Sequence, residues 1–159
     1  MRTVYLCIGG NLGSRLENLE ETRMFIEFNF GDILEVSSVV ASEAWGMENA
    51  PAFLNQIVVI QTSLTNQELL QEISELEEFY GRTRGEGYQS REMDVDVLFI
   101  DNDVLEEGAL LVPHPRLHLR RFVLQPLAEI APSLMHPILR KSISELLVEC
   151  PDKSEVKPC

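Results

Sequence analysis

The sequence lacks any apolar run approaching the roughly 20 residues that a helix needs to cross a bilayer, so nothing in it reads as a membrane span. Cysteine is scarce: Cys7, Cys150 and Cys159 are odd in number and contain no Cys-x-x-Cys pair. That usage argues against a disulfide frame or a zinc site and fits a reduced, cytoplasmic protein. Positive charge is also short, with 13 Lys and Arg against 26 Asp and Glu and a formal charge of -13. Nucleic acid and anionic membranes need basic faces, so neither is expected as a partner. No internal repeat, linker or low-complexity stretch appears, and the opening Met1–Ile8 segment is too short in apolar residues for a signal peptide. A chain of 159 residues is one ordinary domain, expected over residues 1–150 with a polar, frayed tail over 151–159. We expect a monomer.

The few basic residues are unevenly placed. Arg82, Arg84, Arg91, Arg116, Arg120 and Arg121 fall in one forty-residue span, and all are arginine. The planar guanidinium suits bidentate phosphate contact better than an ammonium does. An acidic chain with a local arginine cluster suggests a small phosphorylated ligand, although surface ion pairs with Glu86 and Glu92 would use the same residues.

Within that span, Asp94 to Ile100 reads as a buried strand, rich in β-branched and aromatic residues and free of Gly and Pro. Alternation puts Asp94 and Asp96 on one face, roughly 6.6 Å apart, and Val95, Val97 and Phe99 on the other. Like-facing acids repel unless a cation or solvent screens them. Alone, such a pair reads most readily as the wet start of an edge strand. With an arginine-bearing, glycine-containing loop over 82–91 directly before it, the pair reads better as a site where carboxylates gather divalent ions for a phosphate chain.

The rest of the chain supplies a frame. Residues 2–8 form a first strand, Gly9 to Gly13 a tight turn, and Ser14-x-x-Glu17 a capping box. The helix it opens has Leu16, Leu19, Met24, Phe25, Ile26 and Phe28 as its apolar side and Gly31 as its stop. A strand follows over 33–41, then a loop over 42–52 carrying Trp45, then a strand over 53–62 on which Phe53, Asn55, Ile57 and Val59 share a face. A ring beside an amide suits a flat, hydrogen-bonding heterocycle, though a core Phe beside a satisfied amide is the commoner meaning of two such residues. Thr65-x-x-Glu68 opens a second helix, with Leu69, Leu70, Ile73, Leu76 and Tyr80 inward, Glu77 on the margin of the stripe, and Gly81 as its end. Beyond the acidic strand, Val112-Pro113-His114-Pro115 is extended and holds His114 in place. A proline-bounded helix near 122–132 and a short one from Ser142 follow. This order, β-α-β-β-α-β and then helices, predicts an α+β ferredoxin-like sandwich: an antiparallel sheet flanked by helices, with a C-terminal helical appendix.

Four segments, taken together, carry a resemblance across nearly the whole chain: 8–13 (Ile-Gly-Gly-Asn-Leu-Gly), 53–55 (Phe-Leu-Asn), 91–98 (Arg-Glu-Met-Asp-Val-Asp-Val-Leu) and 112–132, from Val-Pro-His-Pro-Arg onward. In these the chain resembles the 6-hydroxymethyl-7,8-dihydropterin pyrophosphokinase family of folate biosynthesis. The resemblance implies transfer of the terminal diphosphate of ATP to the hydroxymethyl oxygen of the dihydropterin, with release of AMP. It implies two Mg2+ ions on Asp94 and Asp96, and Arg82 and Arg91 as catalytic loop arginines. ATP contacts are implied at Glu77, Arg82, Arg84, Arg91, Val97, His114 and Arg120. A pterin pocket is implied at Ser42, Trp45, Phe53, Asn55, Asp94 and Phe122, with the ring held between the two phenylalanines. The chain departs from the family pattern at Tyr88-Gln89-Ser90, Glu43 and Arg121. Two other readings remain open on the residues alone: a non-catalytic ferredoxin-like nucleotide-binding or regulatory module, and a different magnesium-dependent phosphate-chain enzyme.

Overall fold

A computed structural model of the chain describes residues 1–43, 50–81 and 92–159. Its centre is β1 (Arg2–Gly10), which pairs antiparallel with β4 (Phe53–Thr62) on one side and β5 (Asp94–Ile100) on the other. β2 (Asp32–Val36) and β3 (Val40–Ser42) both pair with β4 at different ends, and β8 (Val156–Pro158) closes the far edge against β3. A separate hairpin joins β6 (Leu105–Glu107) to β7 (Leu110–Val112). Helices α1 (Arg15–Asn29) and α2 (Asn66–Phe79) belong to one face of the sheet, while α3 (Arg121–Ile130) and α4 (Ile143–Glu149) cover the other.

Strand alternation explains two cores instead of one. Val4, Leu6 and Ile8 of β1 enter the core under α1 and α2, whereas Cys7 enters the core under α3 and α4. The C-terminal appendix is therefore the second helical layer of an α+β sandwich. Apolar burial on both faces of β1, β4 and the edge strand β5 accounts for their β-branched runs.

Local departures from the sequence reading have physical causes. β5 carries one extra residue where Tyr5 pairs Phe99 and Leu6 pairs Val97. This bulge at Leu98 turns Phe99 away from Val95 and Val97 and into the opposite core. The strand expected over 33–41 is broken at Ser37, whose hydroxyl accepts from the Ile57 amide at 2.9 Å and so interrupts the ladder between β2 and β3. In α1 the buried stripe is Asn18, Leu19, Thr22 and Ile26; Met24 and Phe28 lie on the opposite side, and Phe28 is 89% exposed. Within the tail, Val156–Pro158 pairs with β3 and does not fray.

Capping separates the helices. Thr65 and Ser142 both form complete capping boxes with Glu68 and Glu145, from extended backbones. Ser14 makes no side-chain cap, because its ψ of 78° swings the hydroxyl out of line with the first-turn amides. Thr65→Ala should thus lower unfolding free energy by about 1 kcal/mol in urea titrations, and Ser14→Ala by no more than a few tenths. Gly31, after α1, has φ +154°, and a Cβ there would stand 2.1 Å from the Gln61 carbonyl oxygen. Gly31→Ala should cost about 2–3 kcal/mol in the same measurement.

Candidate active site

The two acids of β5 face the α3 side of the sheet, and the register shows what lies beside them. Asp94 pairs with Gly9 of β1, which pairs in turn with Asn55 of β4; Asp96 pairs with Cys7, which pairs with Ile57. Directly opposed residues share a face, so Asn55, Gly9 and Asp94 form one row and Cys7 and Asp96 the next. Gly9 contributes no side chain, so the Asn55 carboxamide leans over it in a row that runs about two strand spacings, or roughly 10 Å, from Asn55 to Asp94. A Cβ on Gly9 would stand 2.1 Å from Asn55 Oδ1 and 2.5 Å from the Leu54 carbonyl. Only glycine fits that position.

The floor is apolar and uncharged. Cys7 is buried with Sγ 3.9 Å from Asn55 Oδ1. Burial pushes its thiol well above the ordinary range, and the carboxylates of Asp96 and Asp94 push it the same way. It stays a neutral thiol under the acids, and among the described residues no cysteine is disulfide-bonded.

Three elements close around the acids. From α2, Glu77 Oε2 accepts a 3.0 Å hydrogen bond from the Val95 amide, so the marginal helix position places a third carboxylate at the edge of β5. From the start of α3, Arg120 Nη1 stands 3.9 Å from Asp96 Oδ2, and its guanidinium lies 5.7 Å from the centre of the Phe122 ring. From the segment after β7, the His114 amide donates to the Leu98 carbonyl at 2.9 Å, binding the Pro-His-Pro strap to the open side of β5. His114 Nδ1 accepts from the Arg116 amide at 3.1 Å, which leaves Nε2 to carry the proton. Burial, then the nearby Arg120 and Arg116, lower its pKa from 6.5 to about 4, against the opposing pull of Asp94. The imidazole is neutral near pH 7.

On the β4 side, Ser42 pairs with Phe53, two residues from Asn55 and on its face. Asn55 is 7% exposed and Ser42 is buried, while Phe53 and Phe122 are half-buried. The structure thus gathers Glu77, Asp94, Asp96, His114 and Arg120 at one end of the shelf and Ser42, Phe53 and Asn55 at the other. Val97 is buried in the α1–α2 core, so only its backbone lies toward the site. Trp45, Arg82, Arg84 and Arg91 lie outside the described residues.

Sequence reasoning missed two supports. Asn11 Nδ2 donates to the Pro51 carbonyl at 3.2 Å, and Arg15 Nη1 donates to the Ala52 carbonyl at 2.7 Å. Together they anchor the backbone that leads into Phe53. The Gly-Gly-Asn-Leu-Gly turn is thus a brace for the β4 end of the shelf; a buried Asn in a tight turn was the available signal.

Comparison with known proteins bears on the family and the fold. Residues 5–132 match the family described as 7,8-dihydro-6-hydroxymethylpterin-pyrophosphokinase (HPPK). The chain is 40% identical over 149 residues to the 2-amino-4-hydroxy-6-hydroxymethyldihydropteridine pyrophosphokinase of Aquifex aeolicus, covering 94% of this chain and 92% of that one. It is 31% identical over 158 residues to the protein of the same name from Haemophilus influenzae, covering 99% and 98%. Among solved structures, the wild-type Plasmodium falciparum HPPK-DHPS superposes with a TM-score of 0.73 at 15% identity, over 93% of this chain and 44% of that one. At that identity the likeness bears on the fold, and the chain spans less than half of the longer protein. The match over 5–132 and the two relatives similar along their full length leave one conclusion: the chain belongs to the 7,8-dihydro-6-hydroxymethylpterin-pyrophosphokinase family.

Proposed function

We propose that the protein transfers the terminal diphosphate of ATP to the hydroxymethyl oxygen of 6-hydroxymethyl-7,8-dihydropterin, the activity its family and relatives are named for. The observation that carries this reading is the like-facing pair Asp94 and Asp96 at one end of the Gly9 shelf, with Arg120 3.9 Å from Asp96. In the reaction, the hydroxymethyl oxygen bonds to the β-phosphorus of ATP. The bond from that phosphorus to the oxygen shared with the α-phosphate breaks, AMP leaves with the electron pair, and the hydroxyl proton is released.

The acids suit magnesium as the cofactor. They are hard oxygen donors on one strand face and are half-exposed. Among the described residues no group of three or more His, Cys, Asp or Glu forms a complete cage. A small octahedral cation that keeps waters and takes its remaining ligands from phosphates needs only such a pair. Asp94 and Asp96 would hold two ions, which would supply charge neutralisation along the triphosphate.

The chain's own residues do the positioning. Arg120 stands where it can contact phosphate oxygens as well as Asp96, and Arg82 and Arg91 are the loop candidates for charge on the transferred group. Neutral His114 offers an Nε2–H donor on the edge of β5, where Glu77 and the backbone of Val97 line a nucleotide subsite for which Arg84 is a further loop candidate. At the other end, Asn55 offers both donor and acceptor to a flat heterocycle, with Ser42 beside it, Phe53 and Phe122 as stacking faces and Trp45 as a further candidate contact. These contacts would hold acceptor oxygen and phosphorus in line. Phosphoryl-type transfer asks little more of a protein.

The binding-module reading has no observation in its favour. AMP should appear only when ATP, magnesium and the hydroxymethylpterin are all present; AMP formed without the pterin, or ADP in its place, would overturn the reading. Asp94→Asn and Asp96→Asn should each lower kcat by about 100-fold or more with folding intact, and chelation should abolish turnover until magnesium is restored. The His114 environment adds a pH dependence. The unfolded imidazole takes a proton near 6.5, whereas the folded one resists until about 4. Its contribution to stability is therefore complete above 6.5 and is lost progressively as pH falls toward 4. Urea midpoints of the parent should drop more steeply across that window than those of His114→Gln, and parallel curves would contradict the assignment.

A further inference from the structure

We propose that Asp152 is a positioning residue for the site, capping α3 from 31 residues away in sequence and so setting where Arg120 and Phe122 stand. The inference rests on the acceptor and nucleotide subsites assigned above. α3 begins without a cap of its own: Arg120 is the N-cap residue, its backbone is extended, and its side chain makes no cap hydrogen bond. An uncapped helix start leaves amides without partners and a partial positive charge. Asp152 Oδ2 accepts from the Arg121 amide at 3.2 Å, supplying both the missing acceptor and a negative charge.

The cap is itself held. Asp152 Oδ1 accepts from the Ser154 amide at 2.9 Å and also from the Ser154 hydroxyl. Burial works against the charged form, yet the Ser154 and Arg121 contacts outweigh it and keep the carboxyl below its usual range. One turn along α3, Gln125 Nε2 donates to the Val156 carbonyl at 2.9 Å. Val156 in turn pairs with Ser42, and the Cys159 amide donates to the Val39 carbonyl at 2.9 Å. The segment from Asp152 to Cys159 thus ties the start of α3 to β3. Those two elements carry Phe122 and Ser42, both assigned above to the proposed acceptor pocket. A cap that only stabilised the helix would need no such second anchorage on β3.

Steady-state AMP release at saturating MgATP, with the hydroxymethylpterin varied, tests this together with Arg121 amide exchange followed by NMR. Asp152→Ala should raise the acceptor KM about tenfold, change kcat little, and speed Arg121 exchange. Asp152→Asn keeps an acceptor oxygen and should stay within about twofold of the parent in both readouts. A parental KM in a folded Asp152→Ala protein, even with a lowered melting temperature, would make the cap purely structural and overturn the proposal. Equal damage from Asn and Ala would do the same. Should Asp152→Ala fail to fold, Gln125→Ala releases the second tie, and there a parental KM overturns the proposal while a raised one supports it. A parent that releases no AMP defeats the pyrophosphoryl reading itself. Arg121 exchange then decides the cap alone: unchanged in Asp152→Ala, it is refuted; accelerated there and restored in Asp152→Asn, it stands.

Discussion

The ladder that β1 forms with β4 on one side and β5 on the other is the constraint from which the site follows. Its register puts Gly9 between Asn55 and Asp94, and Cys7 between Ile57 and Asp96. A one-residue slip would send both acids into the core beneath α1 and α2, where Val95 and Val97 now pack. Burying two carboxylates there would be far costlier than any local contact could offset. Hydrophobic alternation along β5 therefore fixes its pairing and the outward aim of the acids by the same physics.

Electrostatics at the shelf follow from what surrounds each group more than from the net charge of -13. Arg120, at the start of α3, brings a guanidinium to the acids, and Glu77 is occupied by a backbone amide. Burial, reinforced by two arginines, keeps the His114 imidazole neutral; burial, reinforced by two carboxylates, does the same for the Cys7 thiol. A strongly acidic protein can thus present a locally balanced pocket to a polyanionic ligand.

Much of this was readable before any coordinates. The shared face of Asp94 and Asp96 follows from a period of two, and the Thr65 cap from a four-residue pattern. The shared face of Phe53 and Asn55 also held, because β4 runs without interruption from Phe53 to Thr62. The readings that failed did so where one residue overrode a pattern. Leu98 adds a step that reverses Phe99, the Ser37 hydroxyl occupies a ladder position, and Ser14 has the letters of a cap without the backbone angle. The α1 stripe was recoverable: Met24 and Phe28 fall half a turn or so from Leu19 and Ile26 at 100° per residue, so counting apolar residues without their angles misassigned them. The strand at Val156 to Pro158 was not recoverable, since three residues carry too little periodicity and the pairing depends on a distant partner.

The central position of β1 has a consequence for synthesis. The strand that the sheet is built around is synthesised before both of its partners, which end at residues 62 and 100. At ordinary elongation rates of about 5–20 residues per second, its apolar side chains wait several seconds for a mate. During that interval the nascent segment is a bare, sticky edge, and cellular yield becomes a matter of chaperone occupancy as much as of final stability.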